Sequence, residues 1–158
     1  RMAVLSKKIG EHIGLSQEEI TALELLSNLH DIGKISIDEG ILTKPGKLNE
    51  EEWKQIKKHP QVGYRIAQTA PDLMHISEFI LSHHERWDGL GYPQGLKGKE
   101  IPLLSRIIAI VDSYDAMTQD RPYSRAKTAK EAKKEILDNA GTQFDPVLAK
   151  LFVEKVLS

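Results

Sequence analysis

The segment SQEEITALELLSNLHDIGK, residues 16–34, contains a helix whose two ends are both marked. Ser16 followed by Glu19 forms a capping box, in which each side chain pairs with the backbone N–H of the other residue. Apolar residues then recur at helical spacing, at Ile20, Leu23, Leu25, Leu26 and Leu29. The pattern predicts a helix that ends near HDIGK, with a histidine and an aspartate at its carboxyl end.

Helix signals continue on both sides of this segment. Met2, Leu5, Ile9 and Ile13 predict a helix over residues 1–13, and the other predicted helices start near Asn49, Pro60, Pro71, Pro102, Thr128 and Pro146. The Pro71 helix is expected to reach His83. Residues 32–48 and 86–101 are rich in glycine and are predicted to be loops. The sequence therefore predicts an all-α fold, a single compact domain of about seven helices.

Composition narrows the class of protein. The 158 residues carry a net charge of −1, from 22 basic and 23 acidic side chains, so there is no overall basic field for binding DNA. There is no cysteine, which excludes disulfides and thiolate metal sites and fits a reducing cytoplasm. No apolar run approaches the roughly 20 residues of a membrane span. Because a helical pattern begins at Arg1, we expect residues 1–158 to be one domain of a longer protein with an upstream regulatory domain.

Six side chains are candidate metal ligands, and they fall in four separate segments: His30, Asp31, His59, His83, His84 and Asp112. Imidazole and carboxylate donors without sulfur suit zinc, iron, manganese or nickel. Either aspartate has two oxygens and could bridge two ions, which together would hold a phosphate and activate water. A single His-Asp pair is more often a hydrogen-bonded surface pair than a ligand set. The combination with DIGK and a glycine-rich loop favours the metal site.

Several longer motifs are individually specific: LHDIGK at 29–34, ILTKPGKLNEEEW at 41–53, KKHPQVG at 57–63, HHERWDGLGYP at 83–93, IPLLSRIIAIVDSYDAMTQDRPY at 101–123 and FDP at 144–146. With them the chain resembles the HD-GYP domains, a branch of the HD superfamily of metal-dependent phosphohydrolases. The resemblance covers almost the whole chain. It implies an HD-domain-like helical fold and hydrolysis of cyclic di-GMP, a bacterial second messenger, to pGpG or GMP.

The resemblance also implies roles for single residues. The six donors above match the family's ligands for two or more divalent transition-metal ions, with iron or manganese favoured and zinc or nickel as alternatives. Substrate contacts are implied for Lys34, Arg121, Gly91, Tyr92 and Pro93. The position after Tyr123 is Ser124 where many relatives have a basic residue, and Arg125 is expected to substitute. The family's further glutamate and histidine would lie before Arg1, so we expect incomplete metal binding by this segment.

Physical reasoning extends the catalytic group to Lys34, Asp31, Asp112 and Asp115. Lys34 lies three residues beyond Asp31, where a cation can meet a bound phosphate. Asp115 lies one helical turn beyond Asp112, and we expect it to hold Lys34 or a ligand histidine. Arg121 could form a forked contact with a phosphate or a guanine edge.

The remaining polar and aromatic residues carry weaker expectations. Glu85 and Asp88 either orient the histidines or fix the loop by hydrogen bonds. Trp53 is predicted to lie in the core because of its helical spacing with Ile56. His12 and His75 have no motif around them and are predicted to lie on the surface.

Three functions remain open at this point. The first is a cyclic di-GMP phosphodiesterase. The second is a metal-loaded but inactive receptor for cyclic di-GMP, or a module that docks GGDEF-type cyclase domains through the GYP loop. The third is an HD phosphohydrolase that acts on a different nucleotide. The intact set of six donors favours the enzyme, because a pure receptor would be free to lose it.

Overall fold

The computed structural model describes residues 1–121 and 124–158, and within these ranges the regular secondary structure is helical. The α-helical segments are α1 Met2–His12, α2 Gln17–Leu29, α3 Glu39–Leu42, α4 Glu50–Ile56, α5 His59–Thr69, α6 Ser77–Leu81, α7 Leu103–Met117, α8 Ala129–Asp138 and α9 Pro146–Leu151. Three 3₁₀ turns (Ile32–Ser36, Met74–Ile76 and Gly98–Glu100) and a π-helical turn (Phe152–Val156) complete it. The all-α prediction is confirmed: seven of these segments have six or more residues, and α3 and α6 are shorter.

The starts of the helices follow the local sequence. Ser16, Asn49 and Thr128 each form the capping box with a glutamate three residues later. Pro146 occupies the first turn of α9, where its missing N–H is not needed. The Asp145 side chain caps the same helix by accepting from the backbone N–H of Val147 and Leu148. These helix starts were therefore set by residues within one turn of the boundary.

The helix predicted from Pro71 to His83 is shorter than expected. The chain passes through the 3₁₀ turn at Met74–Ile76, and α6 then ends at Leu81. The imidazole of His83 bonds the carbonyl oxygen of Ile80 at 2.5 Å. In a continuing helix that carbonyl would accept the backbone N–H of His84. The histidine side chain therefore takes the acceptor that another helical residue would have used.

The core is centred on α7, which packs against α1, α2, α6, α8 and α9. Ile107, Ile108, Ile110 and Val111 are fully buried around its circumference. Buried Ile9, Leu23 and Leu26 from α1 and α2 pack on one side, with Ile136 and Phe152 in the same cluster. Asp112 follows Val111 on α7 and therefore lies directly beside this buried stretch. No helix in the described ranges is both long enough and apolar enough to cross a bilayer.

The 3₁₀ turn Ile32–Ser36 packs directly on α5 through two glycines. A side-chain carbon at Gly33 would lie 1.8 Å from the carbonyl oxygen of His59 and 2.6 Å from the backbone nitrogen of Gly63. Only a residue without a Cβ permits this approach. The contact brings the segment after α2 against the start of α5, and so places Asp31 close to His59.

Candidate metal centre

The six predicted donors come from the end of α2, the start of α5, the turn after α6 and α7. His30 follows the last residue of α2, Asp31 precedes the 3₁₀ turn, and His59 is the first residue of α5. His83 and His84 lie in a turn after α6. The expectation that the helix before them reaches His83 is wrong, since α6 ends two residues earlier, at Leu81. Their convergence comes from the turn and not from helical periodicity.

The first donor set consists of Asp31, His59, His83 and His84, and one ligand atom of each lies within 4.8 Å of the others. The Oδ1 atom of Asp31 is 3.4 Å from His83 Nε2 and 3.9 Å from His59 Nδ1. Donor atoms about 2 Å from a shared ion lie roughly 3–3.5 Å from each other. The spacing is close to that of a ligand set.

The second donor set consists of His30, Asp31 and Asp112. His30 Nε2 lies 3.2 Å from Asp31 Oδ2 and 3.6 Å from Asp112 Oδ1. Asp31 belongs to both sets, and its two oxygens face different histidines. The structure therefore brings together all six side chains that the sequence indicated, with one carboxylate between two potential cation positions.

Backbone carbonyls fix the orientation of two of the histidines. The Nδ1 atom of His30 lies 3.0 Å from the carbonyl oxygen of Ser27, and that of His83 bonds Ile80 in the same way. A carbonyl can only accept, so Nδ1 of each ring carries a hydrogen, and Nε2 is the ring atom that faces the site. These contacts are not evident from the sequence motifs, although each acceptor lies three residues before its histidine.

Four buried ligand atoms have no hydrogen-bond partner within the described residues: His30 Nε2, Asp31 Oδ1, His59 Nδ1 and His83 Nε2. Burying polar atoms without partners is costly, and such atoms normally have a partner that satisfies them. Here they converge on the same small volume, and they are the donor types that divalent transition metals use. The residues present therefore fit a metal centre.

The three side chains of the second donor set shift one another's pKa values. Burial has the largest single effect on His30 and would lower its pKa, but the carboxylates of Asp112 and Asp31 outweigh it and raise the pKa to about 10. Burial would likewise raise the pKa of Asp31, but His30 and His83 outweigh it and lower that pKa below its usual range. The pKa of Asp112 is also lowered, because His30 outweighs the effect of burial. Both carboxylates are therefore ionised at neutral pH.

The first donor set contains neutral imidazoles. Burial, together with the neighbouring His83, lowers the pKa of His59 to about 4. The same two effects, with His59 added, lower the pKa of His84 to about 3. At neutral pH both rings are uncharged and keep a lone pair, which is the state that a metal ion requires.

The loop after His84 folds back on itself. The buried carboxylate of Glu85 accepts the backbone N–H of Gln94 and of Leu96, each at 2.8 Å. Asp88 pairs with Arg86 and accepts the backbone N–H of Leu90. Of the two interpretations of these acids, the loop-fixing one is confirmed.

Gly91 lets two parts of the loop touch. A Cβ at this position would lie 2.5 Å from the Arg86 nitrogen and 2.6 Å from the His84 carbonyl oxygen.

The next residue, Tyr92, stacks on His84 with ring centroids 5.1 Å apart and an angle of 14° between the planes. The Lys57 ammonium lies 5.6 Å from the Tyr92 ring centroid. Burial, with Asp31 and Asp112 nearby, raises the pKa of Tyr92 to about 12. The ring of Tyr92 therefore lies against His84, a candidate metal ligand. The substrate contacts of Gly91, Tyr92 and Pro93 stay predictions.

Two of the basic residues predicted to bind substrate, Lys34 and Arg121, line one groove. Lys34 Nζ is 3.3 Å from Asp31 Oδ2, beside both donor sets. Arg121 is exposed and lines the same groove as Lys34. Arg125 is exposed, and its role stays a prediction. Pro122 and Tyr123, which belong to the RPY motif, lie outside the described residues.

Two interpretations from the sequence are wrong. Asp115 was expected to hold Lys34 or a ligand histidine, but its ion-pair partner is Arg1, at 2.9 Å, and Gln119 Nε2 donates to it at 3.2 Å. It lies one turn beyond Asp112 and has turned towards the start of α1. Trp53 was expected in the core, but it is 47% exposed because α4 contributes no buried residue. His12 and His75 are exposed, as predicted.

Comparison with known proteins identifies the family. The family model described as "HD domain" matches residues 1–148. A cyclic di-GMP phosphodiesterase of Thermotoga maritima is 43% identical over 98% of this chain and 42% of its own length. A cyclic di-GMP phosphodiesterase response regulator of Xanthomonas campestris is 42% identical over 92% of this chain and 39% of its own length. A 3'3'-cGAMP-specific phosphodiesterase of Vibrio cholerae is 37% identical over 98% of this chain and 30% of its own length. The chain thus spans less than half the length of these relatives.

Solved structures show the same fold. A cyclic GMP-AMP-specific phosphodiesterase of Vibrio cholerae superposes with a TM-score of 0.77 at 23% identity, covering 99% of this chain and 42% of the other. An HDG"Y"P protein of Bdellovibrio bacteriovorus superposes with a TM-score of 0.74 at 21% identity, covering 99% of this chain and 50% of the other. The match of the family model, together with the HD pair at His30 and Asp31 and the Gly91-Tyr92-Pro93 segment, shows that this chain belongs to the HD domain family, in its HD-GYP branch.

Proposed function

We propose that this chain is a metal-dependent phosphodiesterase that hydrolyses cyclic di-GMP to pGpG or GMP. The observation that carries the proposal is the pair of donor sets that share Asp31 beside the ammonium of Lys34. The names of the relatives support the reaction class, since they describe phosphodiesterases of cyclic di-GMP or of 3'3'-cGAMP. We favour cyclic di-GMP as the substrate because it appears in the names of the two relatives reported above with the highest identity.

The donor sets would hold two or more divalent ions, of which iron and manganese are our first choices. His59, His83, His84 and one oxygen of Asp31 would hold one ion, and His30, Asp112 and the other oxygen of Asp31 would hold the next. Ions bound there would supply Lewis-acid activation of the phosphodiester and of water.

The chain's own residues would complete the chemistry. The ammonium of Lys34 is about half-exposed beside Asp31, so it can reach a non-bridging phosphate oxygen and stabilise negative charge that develops on it. The carbonyls of Ser27 and Ile80 would hold the rings of His30 and His83 so that Nε2 faces the donor sets. The stack of Tyr92 on His84 limits rotation of that ring.

The first experiment measures hydrolysis by the metal-loaded protein. Protein loaded anaerobically with ferrous iron or manganese is incubated with cyclic di-GMP and, separately, with 3'3'-cGAMP, and the products are separated by chromatography. We expect pGpG or GMP from cyclic di-GMP. His83→Ala, which removes a buried ligand, is expected to lower the rate at least about 100-fold, whereas exposed His75→Ala serves as the matched control.

Three results would count against the proposal. Preferential turnover of 3'3'-cGAMP would reassign the substrate. Binding of cyclic di-GMP by calorimetry without any product, in the metal-loaded protein, would identify a receptor. Equal rates for His83→Ala and His75→Ala would remove the first donor set from the reaction.

We also propose that the loop of residues 86–98 contacts a GGDEF-type cyclase domain. Tyr92 faces His84, so its ring is not the outward surface of this loop. Leu90 is 79% exposed and is the apolar side chain that the loop presents to a partner. Calorimetry with a purified GGDEF domain should show weaker binding by Leu90→Ser and little change for Val147→Ser, an equally exposed residue on α9. Equal binding by both variants would contradict this docking site.

A further inference from the structure

A groove of about 470 Å³ opens beside the metal centre and extends away from it. Its lining residues come from the segment after α2, from α3, α4 and the loop between them, and from the segment after α7, and they include Lys34, Leu42, Lys44, Lys47, Trp53 and Arg121. Lys34 is common to the groove and to the centre, because its ammonium contacts Asp31. A ligand whose phosphate lies at the centre would therefore extend into this groove.

The charged residues that line the groove are all basic. Lys34, Lys44, Lys47 and Arg121 contribute to it, with no acidic residue among the described lining residues, although the chain as a whole has a net charge of −1. Lys44 pairs with Glu52 at 2.8 Å and so ties the turn before α4 to that helix. Lys47 and Arg121 are exposed. The groove thus favours an anionic ligand over a neutral or cationic one.

Trp53 gives the groove a flat aromatic wall. Its side chain is 47% exposed on α4, and Leu42, which also lines the groove, is 42% exposed. Leaving a large indole in water loses the stabilisation that burial would provide. An indole in a groove that is also lined by aliphatic and basic side chains suits a planar heterocycle that carries a phosphate. This combination of stacking platform and basic groove is typical of nucleotide binding.

We propose that this groove is a nucleotide subsite, in which Trp53 stacks on a base of the dinucleotide whose phosphodiester lies at the metal centre. The inference rests on the proposed function. Lys47 and Arg121 would neutralise the second phosphate. Stacking on an indole tolerates any base, so the subsite would supply affinity without choosing between guanine and adenine.

The test separates binding from chemistry. Trp53→Ala is expected to raise the KM for cyclic di-GMP about tenfold or more, while kcat at saturating substrate and the metal content stay within about twofold, because the contact is equal in ground state and transition state. Trp53→Phe, which keeps an aromatic face, should recover most of the affinity. Lys47→Gln should raise KM more than Lys130→Gln, which removes an exposed lysine of α8 outside the groove.

A binding measurement keeps the subsite testable if no hydrolysis is seen. The chain has two tryptophans, so Trp87→Phe leaves Trp53 as the only indole reporter. Titration of that variant with cyclic di-GMP should quench the fluorescence of Trp53. An unchanged KM in Trp53→Ala overturns the subsite while the phosphodiesterase stands. Absence of turnover by the metal-loaded wild type overturns the phosphodiesterase, and absence of quenching then overturns the subsite as well.

Discussion

Asp31→Asn is expected to remove metal binding from both donor sets at once. One carboxylate oxygen faces His83 and His59, and the other faces His30. An amide offers one weaker oxygen donor and places an NH₂ group where the second oxygen was. Removing a residue that only hydrogen-bonds to a metal ligand already reduces metal affinity roughly 10- to 100-fold, so the loss of affinity on replacing a shared ligand should exceed about 100-fold. Elemental analysis of anaerobically loaded protein should show near-complete loss of bound metal.

Variants of candidate ligands that belong to only one donor set serve as the control for this prediction. His84→Ala belongs to the first donor set alone and Asp112→Asn to the second alone. If two ions bind, each variant should lose about one equivalent and retain the other. Asp88→Asn removes a carboxylate that pairs with Arg86 outside both sets, and it should retain the full content. If Asp31→Asn lost no more metal than His84→Ala, the sharing of Asp31 between two ions would be wrong.

The sequence predicted those parts of the fold that depend on neighbouring residues. Ser16, Asn49 and Thr128 start helices by bonding N–H groups three residues away, so the sequence window around each one contains the whole cause. The end of α6 has a different cause. His83 takes the carbonyl of Ile80, and its ring is held there by packing against residues distant in sequence. A local pattern does not contain that information.

The sequence predicted which residues form the candidate site, but it predicted only some of their contacts. All six donors converge as expected, because the motifs name them one by one. Asp115 and Trp53 were misplaced for the same physical reason. Helical periodicity gives the face of a side chain but not the neighbour of that face. Asp115 meets Arg1, and Trp53 lies on a seven-residue helix that has no buried position.

Gly33→Ala is expected to destabilise the fold more than the corresponding alanine variants of Gly63 and Gly40. The new carbon would lie 1.8 Å from the His59 carbonyl oxygen, 2.6 Å from the Gly63 nitrogen and 2.8 Å from the His59 carbonyl carbon. All three are backbone atoms and cannot rotate away, unlike the end of a side chain. Ordinary overpacking costs roughly 1–3 kcal/mol, so we expect at least about 3 kcal/mol here. Urea unfolding followed by circular dichroism measures the change.

Alanine variants of two other glycines provide a stability scale for comparison with Gly33→Ala. A Cβ at Gly63 would meet the Ile80 side chain at 2.8 Å, and one at Gly40 would meet only the Asp38 carboxylate at 3.3 Å. Because side chains can yield, Gly63→Ala should be intermediate, and Gly40→Ala should stay within about 0.5 kcal/mol of wild type. Gly33→Ala should also bind less metal, since moving the 3₁₀ turn off α5 separates Asp31 from His59. Equal stability of the Gly33 and Gly40 variants would mean that this backbone contact does not position the site.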